Sequence, residues 1–123
     1  MITIGDLDTN SDVENRTLVC GNYIGTSSAN FAIHRASNVL DPSLEIRYNI
    51  NSGSTLNVNA GSVTGAFGVA ERLSTIQNKL NGRLFNVNGG NGGASAYVDS
   101  ELDEKCNTVI NDLRSLSAYL AQQ

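Results

Sequence analysis

Apolar and polar residues alternate in short runs over most of the chain. Ile2 and Ile4 alternate, and Leu18 leads into Val19-Cys20-Gly21-Asn22-Tyr23-Ile24-Gly25. Leu44, Ile46, Tyr48 and Ile50 keep a period of two, Leu56, Val58 and Ala60 repeat it, and Phe85 and Val87 follow. A period of two punctuated by Gly and Asn predicts short strands with one buried face. Tyr48 alternates with core residues and is expected inside. The opposite face carries the pairs Asn49/Asn51, Asn57/Asn59 and Asn86/Asn88. Their amides are expected to form ladders between neighbouring strands.

Two segments carry a helical period instead. Val69, Leu73, Ile76 and Leu80 mark one helix, with Asn81-Gly82 as its stop. In the second, Leu102, Cys106, Val109, Leu113, Leu116 and Leu120 step by four and three into a single stripe. Asp99 or Ser100 caps its start, and Glu101, Asp103 and Glu104 occupy the first turn, where carboxylates are favoured. This long C-terminal α-helix is expected to pack along the body of the domain, since under three heptads is short for a coiled coil.

Short strands with inward aliphatic residues and outward Asn suit an irregular β-helix (β-solenoid), mainly β with helices. A β-sandwich is the competing arrangement, and it would show more aromatic residues and more regular strand spacing. The 123 residues fit one domain, 1–123. Asn, Ser and Gly supply one third of the chain, with a single Pro and 16% charged residues. That composition fits a folded protein with many tight turns rather than a disordered one.

Charge narrows the function classes. The net charge is −4, which argues against a nucleic-acid partner. Residues 1–15 carry −4, residues 16–98 carry +3 and residues 99–123 carry −3. No apolar run reaches the roughly 20 residues of a membrane-spanning helix. No basic and apolar leader opens the chain, and the scarcity of Lys amid abundant Asn, Ser, Thr and Gly points to a mature or trimmed extracellular or cell-surface protein. Asn88-Gly89-Gly90-Asn91-Gly92-Gly93 reads as a flexible connection. It is not a nucleotide loop: Ser95 stands where a third Gly would be, and no Lys-Ser/Thr pair follows.

The opening Ile2-Thr3-Ile4-Gly5-Asp6-Leu7, followed by Ser11-Asp12-Val13-Glu14-Asn15-Arg16-Thr17-Leu18-Val19-Cys20-Gly21-Asn22, resembles the choice-of-anchor A domain of bacterial, fungal and amoebal surface proteins. Leu113-Arg114-Ser115-Leu116-Ser117-Ala118-Tyr119-Leu120 resembles that family's Leu-x-x-Leu-Ser helix. Asn15 and Cys20 stand where the family has Gly, and its members continue with further strands after the helix. The resemblance implies an irregular β-helix with a helix lying against it, in extracellular proteins with adhesive or matrix roles. Some cyst-wall lectins of amoebae carry similar domains and bind cellulose-like glycans. It carries over no catalytic residue. An open end of the β-helix is expected to join another copy and propagate as a fibre.

Candidate chemistry is sparse. His34 is the only His and lacks a partner constellation, and no Gly-x-Ser-x-Gly or His-Glu-x-x-His occurs, so no enzyme and no cofactor are expected. Asp6, Asp8, Asn10 and Asp12 match the first half of a calcium loop, but Ser11 replaces its Gly and Thr17 its bidentate Glu, leaving a weak Ca2+ candidate. Cys20 and Cys106 pair as a disulfide stapling helix to strands, or stay as two buried thiols. Asn15-Arg16-Thr17 is a glycosylation sequon. For glycan contact the candidates are Tyr23, Tyr97, Asn57 and Asn59. The reading is a structural or adhesive module whose partners are other copies of itself or wall polysaccharide. A carbohydrate-binding lectin is the alternative, and ice binding is disfavoured because no Thr-x-Thr array exists.

Overall fold

The computed structural model describes residues 1–25, 29–36, 39, 41–51, 56–73, 77–87 and 96–122. The alternating runs form short strands: β1 (Ile2–Thr3), β2 (Thr17–Val19), β3 (Ala29–Phe31), β4 (Pro42–Ile46) and β5 (Leu56–Val58). They continue with β6 (Ser62–Gly65), β7 (Ala70–Arg72), β8 (Gln77–Leu80), β9 (Arg83–Val87) and β10 (Ala96–Val98). A single helix among the described residues, α1 (Glu101–Ala121), follows.

Strands next to one another in space are far apart in sequence. One sheet has the order β1-β2-β4-β6-β10, with every pairing parallel. The second has the order β3-β5-β9-β8-β7: its first three strands are parallel, and the last three turn back as antiparallel hairpins. Between the sheets, single parallel bridges join Leu7 to Tyr23 and Tyr23 to Ile50, and another joins Val13 to Phe31 beside β3. Parallel strands buried on both faces carry apolar residues in register, and here those registers set the core. Thr17, Leu44, Val63 and Ala96 are successive partners in the first sheet, as are Val19 and Ile46. They meet Ala29, Phe31, Leu56 and Val58 of the second sheet, with Tyr23 and Ile50 between them. Tyr23 sets its ring edge-on to Phe31, centroids 5.7 Å apart.

The outer face of the first sheet aligns Leu18, Glu45, Thr64 and Tyr97 across β2, β4, β6 and β10. Helix α1 crosses this face. Leu102 and Cys106 are fully buried against Leu18, Cys20 and Ala66, with Val109 and Ile110 partly covered. Asp99 begins the helix: its Oδ1 accepts the Glu101 N–H at 3.0 Å, while Ser100, in the N-cap position, makes no side-chain cap.

Two expectations are corrected. No single helix runs from Val69 to Leu80: Ala70–Arg72 and Gln77–Leu80 are strands β7 and β8, paired antiparallel, and Ile76 lies outside the described residues. Val69 and Leu73 of the supposed stripe are exposed while Leu80 is buried, so the helical spacing does not mark one buried face. Asn81-Gly82, read as a helix stop, is the two-residue turn from β8 to β9, with φ of 50° and 80°. Positive φ at both positions is what a tight hairpin turn requires, and Asn-Gly meets it at least cost. Helix α1 forms as expected but packs along the body only through its first three turns, because Leu113, Leu116, Tyr119 and Leu120 are exposed, with no covering surface among the described residues.

Candidate functional site

Two rows of side-chain amides run across the strands, each founded on an aspartate. At the first, Asp6 Oδ1 accepts the Asn22 backbone N–H at 2.7 Å and Asn22 Nδ2 at 3.2 Å. Asn22 Oδ1 then accepts the Asn49 N–H at 2.9 Å, and Asn49 Oδ1 accepts Asn81 Nδ2. At the second, Asn30 Nδ2 donates to Asp12 Oδ1 at 2.9 Å. Asn30, Asn57 and Asn86 are aligned across β3, β5 and β9, and Asn86 Nδ2 reaches Asn57 Oδ1 at 3.5 Å. Parallel register brings Asn30, Asn57 and Asn86 to one level in the second row, whereas Asn22, Asn49 and Asn81 of the first row meet just outside the strands.

These rows decide the fate of several candidates. Asp6 and Asp12 accept amide protons at the base of the rows, while Asp8 borders buried Tyr23. Among the described residues, no group of three or more His, Cys, Asp and Glu side chains gathers as a metal cage. Asn57 belongs to a row, and Asn59, half-buried, donates its backbone N–H to Phe31 O at 2.9 Å. The proposed glycan set is therefore dispersed: Tyr97 is exposed on β10 of the first sheet, whereas Asn57 lies on β5 of the second.

The tyrosines exchange places relative to expectation. Tyr23 is fully buried, because the bridge through Leu7, Tyr23 and Ile50 turns its side chain into the core. Burial, with the Asp8 carboxylate nearby, raises its phenol above the ordinary tyrosine range. Gly25 leaves room for this ring: a Cβ there would stand 2.5 Å from the Tyr23 hydroxyl. Tyr48 lies just past the end of β4 and is 42% exposed, stacked nearly parallel on Phe67 with centroids 6.1 Å apart. Arg47 lies 4.9 Å from the Tyr48 ring centre and is held from behind by Asp103 Oδ1 at 2.6 Å and Asn107 Oδ1 at 2.8 Å. With Arg47 largely covered, the exposed rings of Tyr48 and Phe67 form a pre-set aromatic surface beside Asn49. Sequence reasoning missed it because the period of two outruns the strand by one alternation.

Helix and sheet are locked together covalently and by charge. Cys20 and Cys106 form a disulfide with Cα atoms 5.5 Å apart. Glu45, only 6% exposed, receives Lys105 Nζ on both carboxylate oxygens at 2.9 and 3.0 Å, and Arg16 at 3.3 Å. Asp41 is held below the usual carboxylate range, first by the hydrogen bond from Arg35 and then by the charges of Arg35 and Arg16. His34 is exposed, and its one charged neighbour among the described residues is Glu14 at 3.7 Å. Asn15 of the sequon is exposed, while Thr17 is buried in β2. Asn88–Gly93 and Ser95 lie outside the described residues. No helix among the described residues is long and apolar enough to cross a membrane. No protein-family model, no curated protein and no solved structure matches the chain.

Proposed function

We propose that the protein is a non-enzymatic extracellular module with a structural or adhesive role, built as an irregular β-solenoid of the choice-of-anchor A type. The observation that carries this reading is the pair of aspartate-founded amide rows. Polar side chains that a reactive cleft would aim at a substrate are here bonded to one another from strand to strand. A scaffold of this kind serves by holding its shape while its surfaces make contact. Among the described residues, two outer strands are paired on one side only within their sheet, β1 to β2 and β10 to β6, and such edges accept a strand from another chain. The disulfide fits an oxidising compartment.

One observation favours a second reading, a carbohydrate-binding lectin domain for wall polysaccharide. Tyr48 and Phe67 present near-parallel rings to solvent, flanked by a fixed guanidinium and by amides. Sugar rings pack their C–H faces on such surfaces while their hydroxyls bond to neighbouring amides. Ice binding lacks any comparable support.

Electron microscopy across a concentration series, together with retention on insoluble cellulose and chitin, tests both readings. Concentration-dependent fibres support the structural role. Retention lost in Tyr48→Ala and Phe67→Ala supports the lectin. Dispersed particles that bind neither polysaccharide overturn both.

A further inference from the structure

The chain holds 16 asparagines, and Asn15-Arg16-Thr17 is its one glycosylation sequon. Asn15 lies at the corner between the bridge at Val13 and strand β2. Just before it, the Val13 N–H donates to Asn30 O and the Glu14 carbonyl accepts the His34 N–H, both at 2.8 Å. Just after it, the Arg16 side chain reaches Glu45, and its carbonyl accepts the N-terminal ammonium. Asn15 itself is exposed, and unlike the amides of the two rows its side chain has no hydrogen-bond partner among the described residues.

Thr17 presents the opposite case. Strand β2 sets it in the apolar row of Leu44, Val63 and Ala96, where it is 1% exposed. Its Oγ1 has no hydrogen-bond partner among the described residues. Ser62 and Thr64 bury hydroxyls of the same kind, but Ser62 pairs with Pro42 and Thr64 belongs to the outer row, so Thr17 alone interrupts this apolar one. A valine would fill the same space without an unpaired polar atom, whose burial opposes folding. The folded protein therefore draws nothing from this hydroxyl. The unfolded chain does, because glycan transfer to Asn requires a hydroxyl two residues on.

We propose that Asn15 carries an N-linked glycan, and that the Thr17 hydroxyl serves its attachment rather than the fold. The donor is an oligosaccharide held on a lipid diphosphate, and a transferase of the secretory route brings the two together before β2 pairs. Asn15 Nδ2 bonds to the anomeric carbon of the first sugar. The bond from that carbon to the phosphate oxygen breaks, the diphosphate leaves with its electron pair, and one amide proton passes to a base of the transferase. The glycan then stands at the start of β2, whereas Tyr48 follows the end of the parallel strand β4. Sugar and aromatic surface thus lie at opposite ends of the sheet, and neither obstructs the other. The proposal rests on the extracellular part of the reading above and needs neither fibres nor polysaccharide binding.

Secretion of the whole chain from a yeast host tests it. The wild type is expected above the bare 13.0 kDa by the mass of one oligosaccharide. Treatment with peptide N-glycosidase is expected to remove the excess, with Asn15 then read as aspartate in the peptide map. Asn15→Gln, at an exposed position, and Thr17→Val are both expected to emerge at the bare mass. Neither carries sugar, so their melting temperatures isolate the hydroxyl: Thr17→Val is expected to melt at or above Asn15→Gln. A wild-type chain that emerges folded, with its disulfide closed and without sugar, overturns the proposal. Sugar that persists in Asn15→Gln overturns it as well. So does a Thr17→Val that melts well below Asn15→Gln, since the hydroxyl would then serve the fold. Each of these leaves the structural reading of the module standing, because that reading is tested on the bare chain.

Discussion

Lys105 reaches from the helix to straddle both carboxylate oxygens of Glu45, which lies almost wholly covered on the face of the first sheet. A covered carboxylate without its cation is costly, so breaking this pair from one side is expected to matter more than removing it whole. Lys105→Met is expected to lower stability by about 1–2 kcal/mol, less than for a fully buried pair because the lysine is partly solvated and Arg16 remains. The double change Glu45→Leu, Lys105→Leu is expected to recover most of that loss. Urea unfolding midpoints of the three proteins check it; a double variant weaker than Lys105→Met would contradict the account.

The disulfide encloses 86 residues of sequence separation, nearly the whole strand assembly. Closing a loop of that length restricts the unfolded chain by roughly 4–5 kcal/mol in the entropic view. Reduction, or Cys20→Ser with Cys106→Ser, is expected to lower the melting temperature markedly while leaving the two strand rows intact. Thermal melts followed separately in the strand and helix regions of the circular dichroism spectrum measure this. An unchanged melting temperature would show that the staple does not constrain the unfolded chain.

Gly21 allows two turns to lie on each other. A Cβ at this position would stand 2.5 Å from both Asp6 Oδ1 and the Gly5 carbonyl carbon, and 2.7 Å from Asp6 N. Backbone cannot give way as a side chain can, so Gly21→Ala is expected to cost about 2 kcal/mol or more. Asp6→Ala, which strands the two Asn22 donors, is expected to cost about 1–2 kcal/mol. Combined, the two changes are expected to cost less than their sum, since the clash partly involves the carboxylate that Asp6→Ala removes. Additive losses in a double-mutant cycle would argue against that shared origin.

Tyr23 supplies an alkaline dependence. Its phenol is raised in the folded state, so the neutral form is the one the core holds. Below the ordinary tyrosine value of about 10, folded and unfolded chains bind the same proton and this group has no effect on the slope. Above it the unfolded chain loses the proton first, and stability falls as pH rises toward the folded value. Tyr23→Phe gives up only a long hydrogen bond to Thr9 O, 3.4 Å, and is expected to flatten this alkaline decline while changing stability at neutral pH by less than about 1 kcal/mol. Denaturant titrations of both proteins on either side of pH 10 provide the comparison.

Much of the strand content was legible because side-chain alternation reports burial directly. Leu44/Ile46 and Leu56/Val58 are inward pairs of adjoining segments, as their spacing predicts. The terminal helix was legible because its stripe is long and its acidic first turn unambiguous. The hairpin of β7 and β8 was not. Val69, Leu73, Ile76 and Leu80 mimic a helical face, yet Val69 and Leu73 are exposed and Leu80 is buried, and a short apolar spacing cannot reveal which members meet a core. Tyr23 and Tyr48 were misplaced for a related reason. Alternation within one strand does not say where that strand ends, and the two isolated bridges holding Tyr23 inside depend on Leu7 and Ile50, distant in sequence. The Arg47, Tyr48 and Phe67 surface arises only when the segments after β4 and β6 come side by side, a relation that periodicity does not encode.

The bond between Cys20 and Cys106 also sets a path for tension. A pull between the start of the chain and the far end of α1 travels through residues 1–20, across two sulfur atoms, and on through the helix. The intervening residues lie off that path. Force applied to the ends would shear β1 and the helix base first, and the enclosed strands could not be drawn out until a covalent bond broke.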